Sequence, residues 1–309
     1  MIFAARAIMV SLAFFALVYT FLSLVLSLAW TCLGGRVGRY FSANALFIVR
    51  LAPFAVSAAV SAFLILPSFV ELETHSMDED LGTFVLALCA LLFLGAGLRR
   101  VVTAELRTRR ILDECLEGAH EFEHDTVTPA VVARKSISPL MMVGIRVPTI
   151  VISESTPGIL NDAELRVAVR HEVEHLHAHD NLKKAIFNCL PFPGMKRMLE
   201  AWQEAAELAA DDAAVASREE ALDLAAALIK LSRHFPDHAI PDFATGLVSG
   251  GPSTTKRVQR LLAWKENPAV TSSRWRYAVI PAFAGALALA VKVGPALALI
   301  HSLTERLVP

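Results

Sequence analysis

Charge is scarce in this sequence: only 19% of its 309 residues are Asp, Glu, Lys or Arg, against about 25% in ordinary soluble domains. The shortage is local. Residues 1–98 and 277–309 together hold 12 of the 59 charged residues, about 9% of their positions, while 99–276 holds the other 47, about 26%. The overall figure averages a membrane-embedded part with a water-soluble one. This excludes a wholly soluble enzyme, a disordered chain and a lipid-facing β-barrel. Net charge is missing too, at −1 overall, with 23 basic and 24 acidic residues in 99–276. Without a basic excess, no nucleic-acid partner is expected. The four cysteines, Cys32, Cys89, Cys115 and Cys189, have neither paired nor metal-type spacing, which argues against a disulfide framework or a cysteine zinc site.

Long uncharged runs account for the missing charge. Residues 7–35 exceed the roughly 20 needed to cross a bilayer and are too long for a signal-peptide core. Residues 51–70 and 81–98 form a second and a third run. A fourth, 277–300, contains Pro281 and Pro295 and is interrupted by Lys292, which is expected to snorkel. Arg36, Arg39 and Arg50 follow the first run, five carboxylates and no Lys or Arg lie in 71–80, and five arginines occupy 99–110. The positive-inside rule then places 31–44 and 99–276 in the cytoplasm, with both termini outside. The expected domains are three transmembrane helices with short loops (1–98), a cytoplasmic domain (99–276), and a fourth transmembrane helix with a short external tail (277–309).

Within 99–276 the pattern is mostly helical, with a small β-sheet. Residues 99–123 continue helically from the third span, and VPTIVIS (147–153) reads as a strand with a partner near 138–145. Asn161 and Glu164 mark the start of a helix running to about Leu182. Residues 197–216 are Ala- and Glu-rich and helical, and Ser217 with Glu220 opens a further helix to about His234. Residues 235–255 read as a long loop, followed by the basic amphipathic helix KRVQRLLAWKE.

The chemistry is concentrated in HEVEHLHAHD, residues 171–180. His171 and His175, four apart, share one helix face, as two nitrogen ligands of a single zinc must. Glu172 sits beside the metal position, where a general base is needed. In EAAELAADDAAV, Glu207 and Asp211 again share a face, so Glu207 can complete a two-His, one-Glu set and Asp211 can orient a ligand histidine. His179 forms a weaker rival pair with His175, His177 faces elsewhere and is weaker still as a ligand, and His120 and His124 read as solvated. His234 or His238 could stabilise an oxyanion, as could an arginine. An exposed strand edge near 140–152 could hold an extended substrate by backbone pairing.

Strand, capped helix with HEVEH, Asp180 and then ELAAD resemble the membrane gluzincin metallopeptidases, and three spans before the domain with one after resemble the BlaR/MecR family. The resemblance implies a four-span α-helical membrane protein carrying a mostly α, α+β gluzincin-type zinc metalloprotease domain. It implies Zn2+ held by His171, His175 and Glu207, a catalytic Glu172, and Asp211 and Asp180 as supporting acids. Also implied are a bacterial inner-membrane location, a bilayer environment, and a protein substrate such as a transcriptional repressor or membrane protein. A sensor partner protein and homo-oligomerisation remain open. That family continues into an external penicillin-binding sensor, whereas this chain stops at Pro309, so direct β-lactam sensing is not expected. Two alternatives stand beside this reading: an HtpX-like quality-control protease, and a non-proteolytic zinc-binding scaffold or signalling subunit.

Overall fold

The computed structural model describes residues 2–37, 41–72, 81–122, 128–190, 192, 194–235, 242–247 and 254–265. The fourth apolar run, with Lys292, lies outside the described residues, as do His124 and His238. The chain divides into two compact units. One holds Met1–Cys32 and Ile48–Ala96, and the other holds Leu33–Phe47 and Gly97–Pro268.

The first unit is built from α1 (Ile2–Val37), most of α2 (Ala43–Val60), α3 (Leu66–Leu72) and the first half of α4 (Leu81–Leu116). Three helical stretches, Ala4–Gly34, Ala43–Phe69 and Leu81–Leu116, are long and apolar enough to cross a membrane. Their large apolar side chains face outward, with Leu28 65%, Phe63 58% and Leu92 63% exposed, the reverse of a water-soluble bundle. A π turn, Ser61–Ile65, joins α2 to α3, and the Leu66 N–H bonds the Ser61 carbonyl. Pro67 follows at once and has no N–H to continue the α pattern.

The second unit carries a five-stranded sheet in the order β1-β2-β4-β3-β5. The strands are β1 (His120–Glu121), β2 (Ala130–Ala133), β3 (Leu140–Val143), β4 (Thr149–Ser153) and β5 (Ala244–Gly246). β2 and β4 are parallel, and every other neighbouring pair is antiparallel. β3 and β4 are buried along their whole length, so their sequences, LMMV and TIVIS, are nearly continuous apolar runs. Gly144, at φ 99°, makes the turn between them. The helices are α5 (Thr156–Ile159), α6 (Asp162–His177), α7 (Asp180–Cys189), α8 (Lys196–Ala214), α9 (Arg218–His234) and α10 (Thr254–Leu262). Leu140, Ile150 and Ile152 pack with Leu165, Val169 and Val173 of α6 and Leu224, Leu228 and Leu231 of α9. Met141, Val143 and Val151 pack with Cys115 at the end of α4.

Three expectations are corrected. α4 ends at Leu116 rather than near residue 123, because Gly118 (φ 72°) turns the chain into β1. α6 stops at His177 rather than Leu182, because His179 adopts φ 57° and α7 starts afresh at Asp180. The 235–255 stretch is not all loop, since β5 pairs with β3. The expected free edge at 140–152 is therefore absent: β3 lies between β4 and β5.

Candidate metal centre

α6 opens with a complete capping box, Asn161 Oδ1 accepting from the Glu164 N–H at 2.9 Å and Glu164 Oε2 from the Asn161 N–H at 3.0 Å. This cap fixes where the helix starts and hence which face carries His171, Glu172 and His175. All three are fully buried, at 0%, 0% and 1% exposed. The two Nε2 atoms lie 3.2 Å apart. Glu207 of α8 closes the triangle, with Oε2 at 3.6 Å from His171 Nε2 and Oε1 at 3.7 Å from His175 Nε2. Zinc takes nitrogen and oxygen ligands at about 2.0–2.2 Å in tetrahedral geometry, which sets ligand-to-ligand edges of about 3.3–3.6 Å. The contacts are close to that size, with Glu207 meeting the two histidines through different oxygens, and taken one ligand atom per residue the three groups lie within 4.8 Å of one another.

The other face of each imidazole is held. His171 Nδ1 lies 3.1 Å from Asp211 Oδ1, and His175 Nδ1 lies 2.8 Å from Asp180 Oδ2. The Asp180 hydrogen bond fixes the His175 ring and the nitrogen that carries its proton, and the Asp211 carboxylate lies against the far side of His171, so that both Nε2 atoms face the same point. The break at His179 is what brings Asp180 in. On an unbroken helix it would sit about 7.5 Å further along the axis and some 140° around from His175.

Glu172 Oε2 accepts from the Met142 N–H of β3 at 3.3 Å and from the Thr245 hydroxyl of β5 at 3.1 Å. Its Oε1 is buried without a hydrogen-bond partner among the described residues. Burial pushes the Glu172 carboxyl up from the ordinary carboxylate value, against the opposing pull of His171 and His175. Burial works against a charged His171, but the neighbouring carboxylates of Asp211 and Glu207 outweigh it and lift this histidine to about 9. Glu207 is desolvated as well, yet Arg257 and then His175 hold it down to about 2. The buried acids Glu172, Asp180, Glu207 and Asp211 are met by Arg257, Lys183 and Lys184 around the point where the two Nε2 atoms meet. The donor set there, two imidazoles and a carboxylate, suits a divalent cation with affinity for both.

The family model described as BlaR1 peptidase M56 matches residues 81–261. The chain belongs to the BlaR1 peptidase M56 family. The match spans α4 through α10 and contains every residue of the cluster. Membership and the apolar helices together make this a membrane-associated metallopeptidase, with His171, His175 and Glu207 grouped as a metal centre would require. No curated protein matches the chain.

Several histidines stay outside the M56 cluster. His177 is exposed and pairs with Glu174, His179 is exposed at the start of α7, and His120 is exposed on β1. His234 is exposed, bonded to the Lys230 carbonyl at 2.8 Å, and touches no cluster residue among those described. Residues the sequence pattern did not single out surround the site instead. Thr245 reaches Glu172, Lys184 Nζ bonds the Ala244 carbonyl at 2.6 Å, and Arg257 sits among the carboxylates. For Arg257 a signal existed: it is four residues from Leu261, so the inward stripe of α10 carries an arginine, and both residues are buried. Thr245 offered none.

Proposed function

We propose that this protein is a membrane-anchored zinc endopeptidase whose metal is held by His171, His175 and Glu207. The observation carrying this reading is the ligand triangle with the buried, unpartnered Glu172 Oε1 on the next residue of the same helix. Bound zinc supplies Lewis acidity toward a peptide carbonyl and lowers the pKa of water in its open position. Glu172 takes a proton from the water whose oxygen adds to the scissile carbonyl carbon. As the C–N bond breaks, Glu172 delivers that proton to the leaving amine. The bonds from Met142 and Thr245 to Oε2 keep the carboxylate from turning away. Asp211 and Asp180 orient the ligand rings. A purely structural metal site has no use for a buried carboxyl with one unpartnered oxygen.

In this reading the zinc domain lies on the cytoplasmic face of a bacterial inner membrane, following the arginines that flank the spans. One contact supports placing the connection between α1 and α2 on the same side as the zinc domain: Asn44 Oδ1, in the first turn of α2, accepts from Lys183 Nζ of α7 at 2.8 Å. The substrate is a membrane-proximal protein, a repressor by family analogy or a membrane protein under quality control. Metal analysis of the full chain purified in detergent tests the site. Wild type should hold one zinc per chain, and His175→Ala and Glu207→Ala should lose most of it. Full occupancy in both variants overturns the ligand assignment.

A further inference from the structure

Arg257 is 2% exposed and lies at the centre of the site's negative charge. A guanidinium has five N–H donors in a rigid fork. Nε and Nη2 grip Asp211 Oδ2 and Oδ1 at 2.8 and 2.5 Å. Nη1 donates to the Leu247 carbonyl at 2.8 Å and lies 3.0 Å from Glu207 Oε2. Nη2 also lies 3.4 Å from His171 Nε2. Nε, Nη1 and Nη2 are each thus engaged by the chain itself, which suits a residue that holds other groups in place better than one that meets substrate.

Arg257 forms an ion pair with Glu207, without a hydrogen bond, on one of the two carboxylate oxygens. Oε2, facing His171, is the one beside Arg257, whereas Oε1 faces His175. A carboxylate binding zinc through both oxygens fills two coordination positions, and one binding through a single oxygen leaves a position for water. Resting on the zinc reading above, we propose that Arg257 is a positioning residue that reserves Glu207 Oε2 for itself, so that Glu207 presents Oε1 alone to the metal. The same fork holds Asp211 against His171 Nδ1. Arg257 thereby keeps the coordination position open that hydrolysis requires. A lysine, as a single point charge, cannot grip Asp211 with two donors while holding Glu207.

Cobalt(II) in place of zinc gives a direct readout, because four-coordinate cobalt absorbs visible light much more strongly than five-coordinate cobalt. The full chain in detergent, as wild type, Arg257→Met and Arg257→Lys, is stripped of metal and titrated with cobalt alone. Wild type should show intense four-coordinate bands. Both variants should bind cobalt with band intensity per bound ion reduced severalfold, as Glu207 turns to offer both oxygens. Should the methionine protein fail to fold, the lysine variant keeps the charge and carries the test. Wild-type band intensity in every variant that folds overturns the role of Arg257 and leaves the zinc reading intact. A wild-type protein that binds no cobalt overturns both.

Discussion

Asp180 offers the sharpest quantitative consequence of the site's geometry. Its Oδ2 lies 2.8 Å from His175 Nδ1, and both side chains are nearly inaccessible, at 3% and 1%. Burial raises the Asp180 carboxyl, but the bond to His175 and the Lys183 ammonium outweigh it and hold the group below the ordinary carboxylate range. It is therefore a buried, ionised acceptor. Loss of such a partner typically lowers metal affinity about 10–100-fold. Complete burial places Asp180→Ala toward the upper end, about 2.7 kcal/mol. Asp180→Asn keeps an acceptor oxygen without the charge, and a charge-assisted bond is roughly twice as strong as a neutral one. The asparagine variant should therefore lose about half the free energy, or about tenfold in affinity. Competition against a chromophoric zinc chelator on the detergent-purified chain measures both. An alanine variant binding zinc within about threefold of wild type would refute the claim that Asp180 sets His175.

Other consequences are local. A Cβ at Gly97 would clash with the Cys189 carbonyl oxygen, whereas one at Gly95 meets nothing within 4 Å. Gly97→Ala should destabilise by about 1–3 kcal/mol and Gly95→Ala should be neutral or stabilising by up to about 1 kcal/mol, read by thermal unfolding in detergent; equal effects would contradict the close approach. His179 holds φ 57° at the α6–α7 break, so His179→Gly should stabilise by about 1 kcal/mol and His179→Val should destabilise and weaken zinc binding with it. Glu220 is desolvated, but the Ala216 N–H and Arg170 outweigh this and hold its carboxyl below the ordinary value. A depressed carboxylate stabilises the fold above its unfolded pKa, and that contribution is lost as pH falls through the folded value. Glu220→Gln should therefore be less stable than wild type at neutral pH, with the gap closing below about pH 4; a pH-independent gap in denaturant midpoints would refute the assignment.

The parts legible in the sequence were those encoded by short-range spacing. His171 and His175 four apart, Glu207 and Asp211 four apart, and the Asn161–Glu164 cap each specify one helix face or end, and α6 and α8 bring them together. What stayed hidden depends on contacts between distant segments. The left-handed turn at His179 changes where Asp180 points, and a spacing argument on a continuous helix cannot see it. β5 is three residues long in a Pro- and Gly-rich stretch, and it forms because β3 offers an edge and Phe243 anchors it at 0% exposure. Arg257 comes from 46 residues beyond Asp211, so only the folded chain shows why an arginine sits on the buried stripe of α10.

The central claim, that Glu172 moves the proton in a zinc-dependent cleavage, is tested most directly by Glu172→Gln. The glutamine keeps the side chain's size and an acceptor for Thr245 and Met142 but cannot take up the proton. Zinc content is measured on the purified wild-type and variant chains, and new protein N-termini are catalogued in cells producing each. The account predicts equal zinc in both proteins and a set of N-termini found only with wild type, their uncut parent proteins accumulating with the variant. Identical N-termini from two proteins that both hold zinc would contradict it.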